Sequence, residues 1–159
     1  MIKTNAMRLL TQAGIEFTTK EYDVDENDLS GVHAAKELDM PAERLFKTLV
    51  AFGEKNGYLV FCIPVHLELD LKKAASLAGE KKIDLIPVKD LLKVTGYIRG
   101  GCSPVGMKKK YPVYIDDSVL EYDQIGISAG ARGCQLIMNP SDLIAYTGAV
   151  TSAVTAGIR

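Results

Sequence analysis

Cysteine and histidine are scarce in this 159-residue chain. The three cysteines, Cys62, Cys102 and Cys134, lie far apart and never form a Cys-x-x-Cys pair, which argues against both a disulfide framework and a zinc site. The two histidines, His33 and His66, have no partner at a metal-binding or helical spacing, so we interpret both as surface or hydrogen-bonded histidines. The sequence therefore predicts no metal and no cofactor.

The chain also lacks a long apolar run and an excess of charge. No apolar stretch approaches the roughly 20 residues that span a bilayer, and the first residues contain no apolar signal core, so we expect a cytoplasmic protein. The net charge of −1 excludes a general affinity for polyanions, and any contact with nucleic acid must come from local basic clusters. The length and the 47% apolar content fit a single domain, residues 1–159.

The common catalytic motifs are missing as well. Residues 101–105 resemble a nucleophile elbow, but Val105 stands where the second glycine belongs, and Pro104 directly follows the serine. We therefore exclude Ser103 as a hydrolase nucleophile. There is no Gly-Lys-Ser/Thr phosphate loop, and the glycines of residues 126–133 do not have the dinucleotide-binding spacing. A hydrolase that depends on its own nucleophile or on a metal is disfavoured.

Helical and strand patterns alternate along the chain without regular strand–helix–strand units. Residues 45–52 and 58–65 form two strong strand patterns around a glycine turn and predict a hairpin. Thr4, Ser30, Asp70 and Ser141 are positioned to cap helices. The pattern favours an α+β fold in which helices flank a mixed, barrel-like β-sheet. Residues 148–159 are small and weakly patterned, and we predict a loose C-terminal tail there.

The most unusual stretch is residues 95–106, in which four of twelve residues are glycine. Such a run excludes a helix and an ordinary core strand. The pair Gly100 and Gly101 would let a ligand approach backbone N–H groups closely, while Ser103 and Pro104 would define the turn. We interpret the stretch as a binding loop, although a long structural turn would have the same composition.

Two further features would complete an anion site with that loop. Residues 128–133 follow a predicted strand and again offer N–H groups and a serine hydroxyl. Lys47 lies inside an apolar strand and, because strand residues alternate between faces, points either to solvent or into the barrel mouth, where it would face an anionic ligand. The run Lys108-Lys109-Lys110 is either a solvated face or a contact for an RNA backbone.

Four segments, taken in order, carry a family resemblance: Phe46-Lys47-Thr48-Leu49, Leu69-Asp70-Leu71-Lys72-Lys73, residues 95–109 and residues 128–133. Together they resemble the YbaK/EbsC-type aminoacyl-tRNA deacylases, which are relatives of the editing domain inserted in bacterial prolyl-tRNA synthetases. The resemblance runs from about Thr4 to Gly148, and the ordered combination is far more specific than either glycine segment alone.

The resemblance implies a single barrel-like domain that hydrolyses misacylated tRNA, specifically cysteine attached to the tRNA for proline. It implies catalytic roles for Lys47, which would contact the end of the tRNA acceptor, and for Gly101, which would line the site. The resemblance and the two glycine segments together give the predicted substrate-binding residues: Tyr22, Thr48, Gly100, Cys102, Ser103, Pro104, Ser128, Gly130, Arg132 and Gly133.

The predicted mechanism needs little from the protein, because an aminoacyl ester is already activated. Backbone N–H groups of residues 100–102 would stabilise the oxyanion, and the resemblance implies that the thiol of the substrate cysteine attacks the carbonyl. A Cys102 thiolate is the covalent alternative. Some family members carry an aspartate where this chain has Gln135, so no carboxylate base is available there. That departure, and a further one at residues 29–31, bear on amino-acid preference more than on the reaction.

Two other functions stay open: a related deacylase acting on Ala-tRNA(Pro) or another mischarged tRNA, and a nonenzymatic module that binds a tRNA end or a nucleotide. A chain of net charge −1 is expected to hold tRNA weakly and to release it as salt rises. The expected partners are therefore the acceptor end of mischarged tRNA and prolyl-tRNA synthetase, which already holds the tRNA, with no membrane involved.

Overall fold

The computed structural model describes residues 2–156, which form five α-helices and ten β-strands. The helices are α1 (Asn5–Gln12), α2 (Gly31–Glu37), α3 (Leu71–Leu77), α4 (Val88–Thr95) and α5 (Pro140–Thr147). The strands are β1 (Phe17–Glu21), β2 (Leu45–Gly53), β3 (Gly57–Pro64), β4 (Glu68–Leu69), β5 (Ile83–Leu85), β6 (Val113–Asp116), β7 (Ile125–Ala131), β8 (Cys134–Met138), β9 (Val150–Ser152) and β10 (Thr155–Ala156).

Most helix starts lie where the capping residues predict them. Thr4, Ser30 and Asp70 each accept hydrogen bonds from backbone N–H groups in the first turn of α1, α2 and α3. The predicted cap of α5, Ser141, lies two positions too late, because Asn139 is the capping residue and its side chain accepts from the N–H of Ser141. Pro140 then occupies the first helical position, where its missing N–H costs nothing.

The main sheet is mixed, with strand order β1-β8-β7-β2-β3-β6-β9, and β5 pairs separately with β2. The predicted hairpin is confirmed as the antiparallel pair β2–β3. Strand β7 runs parallel to β2 on one side of this pair, and β6 runs parallel to β3 on the other side. The α+β class with a mixed sheet is thus confirmed. The hydrogen-bonded path has two ends, β1 and β9, so within residues 2–156 it does not close on itself.

Helices cover the sheet and bury its apolar side chains in three groups. The largest group joins α1 and α5 to the central strands through fully buried residues such as Leu10, Ile127 and Leu143. A second group packs α3 against β2 and β3, and a smaller one packs α2 near the start of β2. None of the helices of residues 2–156 combines the length and the apolar content that crossing a bilayer requires.

The predicted loose tail at residues 148–159 is wrong for the part that the structure describes. Strand β9 pairs with β6, and β10 pairs with β4. Between them Val154 is completely buried, and its N–H donates to the Asp116 carboxylate at 3.1 Å. The β-branched residues in this run explain the strands, because their side chains pack well on a pleated surface. Residues 157–159 lie outside the described part of the chain.

Candidate active site

The candidate site is a cleft at one edge of β2. Strand β3 pairs with β2 continuously from Phe46 to Gly53. On the opposite edge, β7 pairs only with Leu45 and Phe46, and β5 pairs only with residues 51–53. Since β7 and β5 diverge from β2, the edge between them has no neighbouring strand in the described structure. A cavity of about 380 Å³ opens at this edge.

One wall of the cavity is apolar and the other is polar. Leu85, Ile86, Val88 and Leu91 form the apolar side, and two of them are exposed at the mouth, Leu85 at 45% and Val88 at 60%. The polar lining comes from three strands and two loops and comprises Tyr22, Ser30, Lys47, Thr48, Arg99, Ser128 and Gln135. An apolar surface beside a few convergent polar groups is the usual composition of a small-ligand site.

The charges that line the cavity are all positive. Lys47 and Arg99 contribute them, and no Asp, Glu or His from residues 2–156 is among the lining residues. Lys47 is half-buried and makes no ion pair with another described residue. Of the two orientations that the sequence left open, the structure shows the inward one. A lysine without a carboxylate partner in such a cleft suits an anionic ligand.

The histidines take no part in this cleft. The His33 ring nitrogens lie 3.7 Å from the carboxylates of Asp28 and Glu37, and His66 is exposed. Within residues 2–156, no group of three or more His, Cys, Asp or Glu side chains is arranged to hold a metal ion.

Residues 95–106, the loop segment, form a closed loop that begins at the end of α4. The Lys108 N–H donates to the Thr95 carbonyl at 3.0 Å and closes the base of the loop. Inside it, the Tyr97 hydroxyl donates to the Val105 carbonyl, and the Val105 N–H donates to the Ser103 hydroxyl. These internal bonds fix the segment, so its glycines belong to a defined turn rather than a flexible one.

Only part of the loop segment faces the cavity. Gly100 and Cys102 line it, whereas Gly101 is buried between them and Ser103 is fully buried in the loop interior. Pro104 lies on the other side of the loop, at a second cavity of about 420 Å³ that it shares with Lys109 and Lys110.

The backbone of the loop segment corrects one part of the oxyanion hypothesis. The Gly101 N–H donates to the Ile98 carbonyl at 2.9 Å and is therefore already used. The N–H groups of Gly100 and Cys102 have no such partner among the described residues. The two residues that line the cavity are therefore the ones with N–H groups free for a ligand.

Residues 128–133, the strand segment, are not the second loop that the sequence predicts. Residues 128–131 continue β7 through an irregularity in its pairing with β8, and only Arg132 and Gly133 form the turn. Ser128 lines the cavity, and its hydroxyl accepts from the Gly130 N–H at 3.1 Å. The glycines were mistaken for loop residues because a bulged strand tolerates them equally well.

The strand segment supports the loop segment instead of forming a separate cradle. A Cβ on Gly101 would lie 3.0 Å from backbone atoms of Ala131 and Arg132, and a Cβ on Gly130 would lie 2.8 Å from the Tyr97 ring. The Arg132 Nε donates to the Arg99 carbonyl at 2.9 Å. Gly130, Arg132 and Gly133 are thus outside the cavity lining, while the predicted residues Tyr22, Thr48 and Ser128 lie in it.

The environment of Cys102 makes it a poor nucleophile. Its side chain is 8% exposed, and burial raises the pKa of the Cys102 thiol to about 11. A catalytic cysteine needs the opposite shift, which a neighbouring cation or histidine would supply. The thiol therefore stays protonated at neutral pH, which argues against the covalent alternative.

Sequence reasoning missed Arg99 and the apolar wall, and it mentioned Gln135 only as a departure from the family. No local motif marks these residues, because the cleft depends on how β5, β7 and β8 are placed around β2. The one available signal was the position of Gln135 in the strand pattern of residues 134–138, where its neighbours are apolar.

The matching family model is that of the aminoacyl-tRNA editing domain, and it covers residues 28–146. That range holds both glycine segments and all of the cavity-lining residues except Tyr22. This chain belongs to the aminoacyl-tRNA editing domain family. The editing domain is 42% identical over 153 residues to an Enterococcus faecalis protein, with 96% of this chain and 93% of that protein covered. That relative carries the provisional name Cys-tRNA(Pro)/Cys-tRNA(Cys) deacylase EbsC.

Two other similar proteins have descriptions that refer to proline–tRNA ligase or prolyl-tRNA synthetase. A proline–tRNA ligase of Brachyspira hyodysenteriae is 26% identical over 84 residues, which are 53% of this chain and 14% of the ligase. A solved structure provisionally described as a trans-editing enzyme for prolyl tRNA synthetase superposes with a TM-score of 0.84 at 26% identity. That match covers 99% of this chain and all of the other.

Proposed function

We propose that this editing domain hydrolyses the ester of mischarged aminoacyl-tRNA in trans, with Cys-tRNA(Pro) as its substrate. The observation that carries the proposal is Lys47, a half-buried cation without an ion pair, which faces a cavity that no described carboxylate lines. The name of the 42% identical relative supports the choice of substrate. The acceptor end of tRNA brings phosphate charge next to the ester, and a cation is the group that binds it.

The arrangement of the cleft suits the two parts of such a substrate. Lys47 and Arg99 would hold the terminal phosphate or ribose, and the apolar wall at Leu85 and Val88 would contact the terminal base. The N–H groups of Gly100 and Cys102 would donate to the carbonyl oxygen as it becomes an oxyanion, an interaction that contributes roughly 3 to 4 kcal/mol per donor in other enzymes. Tyr22, Thr48 and Ser128 would contact the aminoacyl group. Gly101, Gly130, Arg132 and Gly133 would hold the loop segment in place.

The nucleophile is proposed to come from the substrate. The cysteine sulfur attacks the carbonyl carbon, a C–S bond forms, and the C–O bond to the ribose breaks. The thiol proton passes to the departing ribose oxygen, and water then opens the four-membered thiolactone to cysteine. Two features of the protein favour this route over an enzyme nucleophile: burial keeps the Cys102 thiol protonated, and the buried Ser103 hydroxyl is bonded within the loop.

Replacing Lys47 tests the proposal. We expect Lys47→Ala to lower kcat/KM for Cys-tRNA(Pro) by at least about 100-fold, because a partly desolvated contact with the phosphate or ribose is lost. Deacylation is followed with labelled cysteine, and circular dichroism checks the fold. Lys82→Ala is the matched control, since Lys82 is 80% exposed and pairs only with Asp84 at the surface. Near-normal turnover by Lys47→Ala would remove Lys47 from the site.

The same assay with Ala-tRNA(Pro) and Ser-tRNA(Pro) distinguishes the mechanisms. Neither amino acid has a thiol, so neither ester is expected to be cleaved appreciably. Rapid cleavage of the serine ester would contradict thiol attack and favour water as the nucleophile. A lack of turnover on every ester, with tRNA still bound, would favour the binding-module function.

We further propose that prolyl-tRNA synthetase delivers the tRNA to this domain. The chain has a net charge of −1, so its basic residues are balanced elsewhere by acidic ones and its own affinity for tRNA is low. We expect the already weak tRNA binding by the isolated domain to weaken further between 50 and 200 mM salt, by a factor set by the number of phosphates it contacts. Adding the synthetase should restore deacylation at the higher salt. Tight, salt-insensitive binding by the domain alone would contradict this proposal.

A further inference from the structure

Gln135 is a buried polar side chain on β8 that has no hydrogen-bond partner. Its side chain is only 6% exposed and lines the cavity, and its amide oxygen is fully covered without a partner among the described residues. A buried amide in this state costs stability unless some other group satisfies it. Because Gln135 borders the cavity, a bound ligand can supply the missing hydrogen-bond donor.

The neighbours of Gln135 do not supply that partner. Ser128 lies directly opposite on β7 and Lys20 directly opposite on β1, so the three side chains share one face of the sheet. Neither the Ser128 hydroxyl, which accepts from the Gly130 N–H, nor the Thr48 hydroxyl, which lies 3.8 Å from the Cys62 sulfur, forms a hydrogen bond with the Gln135 oxygen. Lys20 is exposed and forms no hydrogen bond with Gln135 within the described chain.

The charge of the cavity indicates which ligand group would donate a hydrogen bond to Gln135. Both charged lining groups, Lys47 and Arg99, are cations, and they favour the phosphate end of a substrate. An aminoacyl ester also carries an α-ammonium group, which needs an acceptor. With no carboxylate among the lining residues that the structure describes, the Gln135 amide oxygen is a lining acceptor with unused capacity.

We propose that the Gln135 amide oxygen accepts a hydrogen bond from the α-amino group of the aminoacyl ester and so selects substrates with a free α-amino group. The inference rests on the proposed deacylase function. Because the oxygen is covered in the structure, this contact requires the Gln135 side chain to turn its oxygen toward the bound amino group. Gln135 would then fix the aminoacyl group relative to the N–H groups of Gly100 and Cys102.

The test compares two esters in two variants. One ester is Cys-tRNA(Pro), and the other is 3-mercaptopropionyl-tRNA(Pro), which keeps the thiol and lacks the amino group. Gln135→Met has a similar size without the acceptor, and Gln124→Met is the matched control at an exposed position at the start of β7. Because the intrinsic reactivity of each ester is the same for every variant, the ratio of the two kcat/KM values isolates recognition of the amino group.

We expect Gln135→Met to lower kcat/KM for the cysteinyl ester by about tenfold or more, the usual effect of a lost hydrogen bond to a charged group. The mercaptopropionyl ester should be cleaved at the wild-type rate, so the ratio falls by the same factor. Gln124→Met should leave both rates unchanged. Should Gln135→Met fail to fold, Gln135→Glu decides, since its carboxylate retains the acceptor and should keep or raise the ratio.

The outcomes separate this inference from the proposed function. Equal losses on both esters, an unchanged ratio, or a lowered ratio in Gln135→Glu would overturn the role of Gln135 while leaving the deacylase function intact. A wild-type protein that cleaves neither ester would overturn the proposed function, and the role of Gln135 would fall with it.

Discussion

The two glycine-containing segments look alike in sequence and differ in structure. The loop segment closes on itself through the bonds of Tyr97 to Val105 and of Lys108 to Thr95, and it turns the Gly100 and Cys102 edge toward the cavity. The strand segment continues β7, and its backbone at Ala131 and Arg132 lies against Gly101 of the loop segment. Glycine therefore serves two purposes here. In the loop segment it permits the turn and, at Gly101, the close approach of the strand segment's backbone, whereas Gly130 of the strand segment leaves room for the Tyr97 ring.

A substitution at Gly101 tests whether the contact between the two segments positions the site. Its backbone angle is not in the left-handed region, so only the close contact with Ala131 and Arg132 requires glycine. We expect Gly101→Ala to push the loop segment off the strand segment, lowering kcat/KM by about 100-fold because the ligand-facing N–H groups move. The free energy of unfolding should fall by about 1 to 3 kcal/mol, as in other overpacked sites. Both quantities are measurable, by deacylation and by urea unfolding.

Gly79 offers the matched control for that substitution. A Cβ there meets no atom within 4 Å, although its φ of +72° disfavours alanine. Gly79→Ala should therefore cost about 1 to 2 kcal/mol of stability with no change in activity. Full activity in Gly101→Ala would mean that the contact between the segments does not position the site.

The difference between the segments also shows how far sequence alone reaches. Local signals predicted the helix starts at Thr4, Ser30 and Asp70 and the hairpin of β2 and β3, because caps and turns depend on neighbouring residues. They failed at residues 128–133 and at the C-terminal strands, where tertiary pairing decides the conformation. Pairing with β6 and β4 orders a run that has little preference of its own.

The site was predictable to a similar degree. The resemblance selected Lys47, Thr48, Tyr22 and Ser128, and the structure brings all four to one cavity. It could not show that the Gly101 N–H is already bonded, nor that Pro104 and Ser103 face away from the cleft. Those facts depend on the path of the loop segment in space. Whether a glycine contacts the ligand or a neighbouring strand is not encoded in its spacing.

The smallest effect on activity is expected at Cys102, a loop-segment residue that lines the cavity. Burial raises its pKa to about 11 from the usual 9.0, so the unfolded chain loses this proton at a lower pH than the folded one. The stabilising contribution is therefore complete below pH 9 and is lost as pH rises toward 11, by about 3 kcal/mol. We expect Cys102→Ala to retain activity within about threefold and to show a shallower fall of unfolding free energy over that range in urea titrations. Cys62→Ala is the control for the pH curve alone: burial raises the pKa of that thiol to about 12, so the substitution should flatten the same curve, but its sulfur lies 3.8 Å from the hydroxyl of the site residue Thr48. A folded but inactive Cys102→Ala would instead make the thiol part of the chemistry and reverse the assignment of the nucleophile to the substrate.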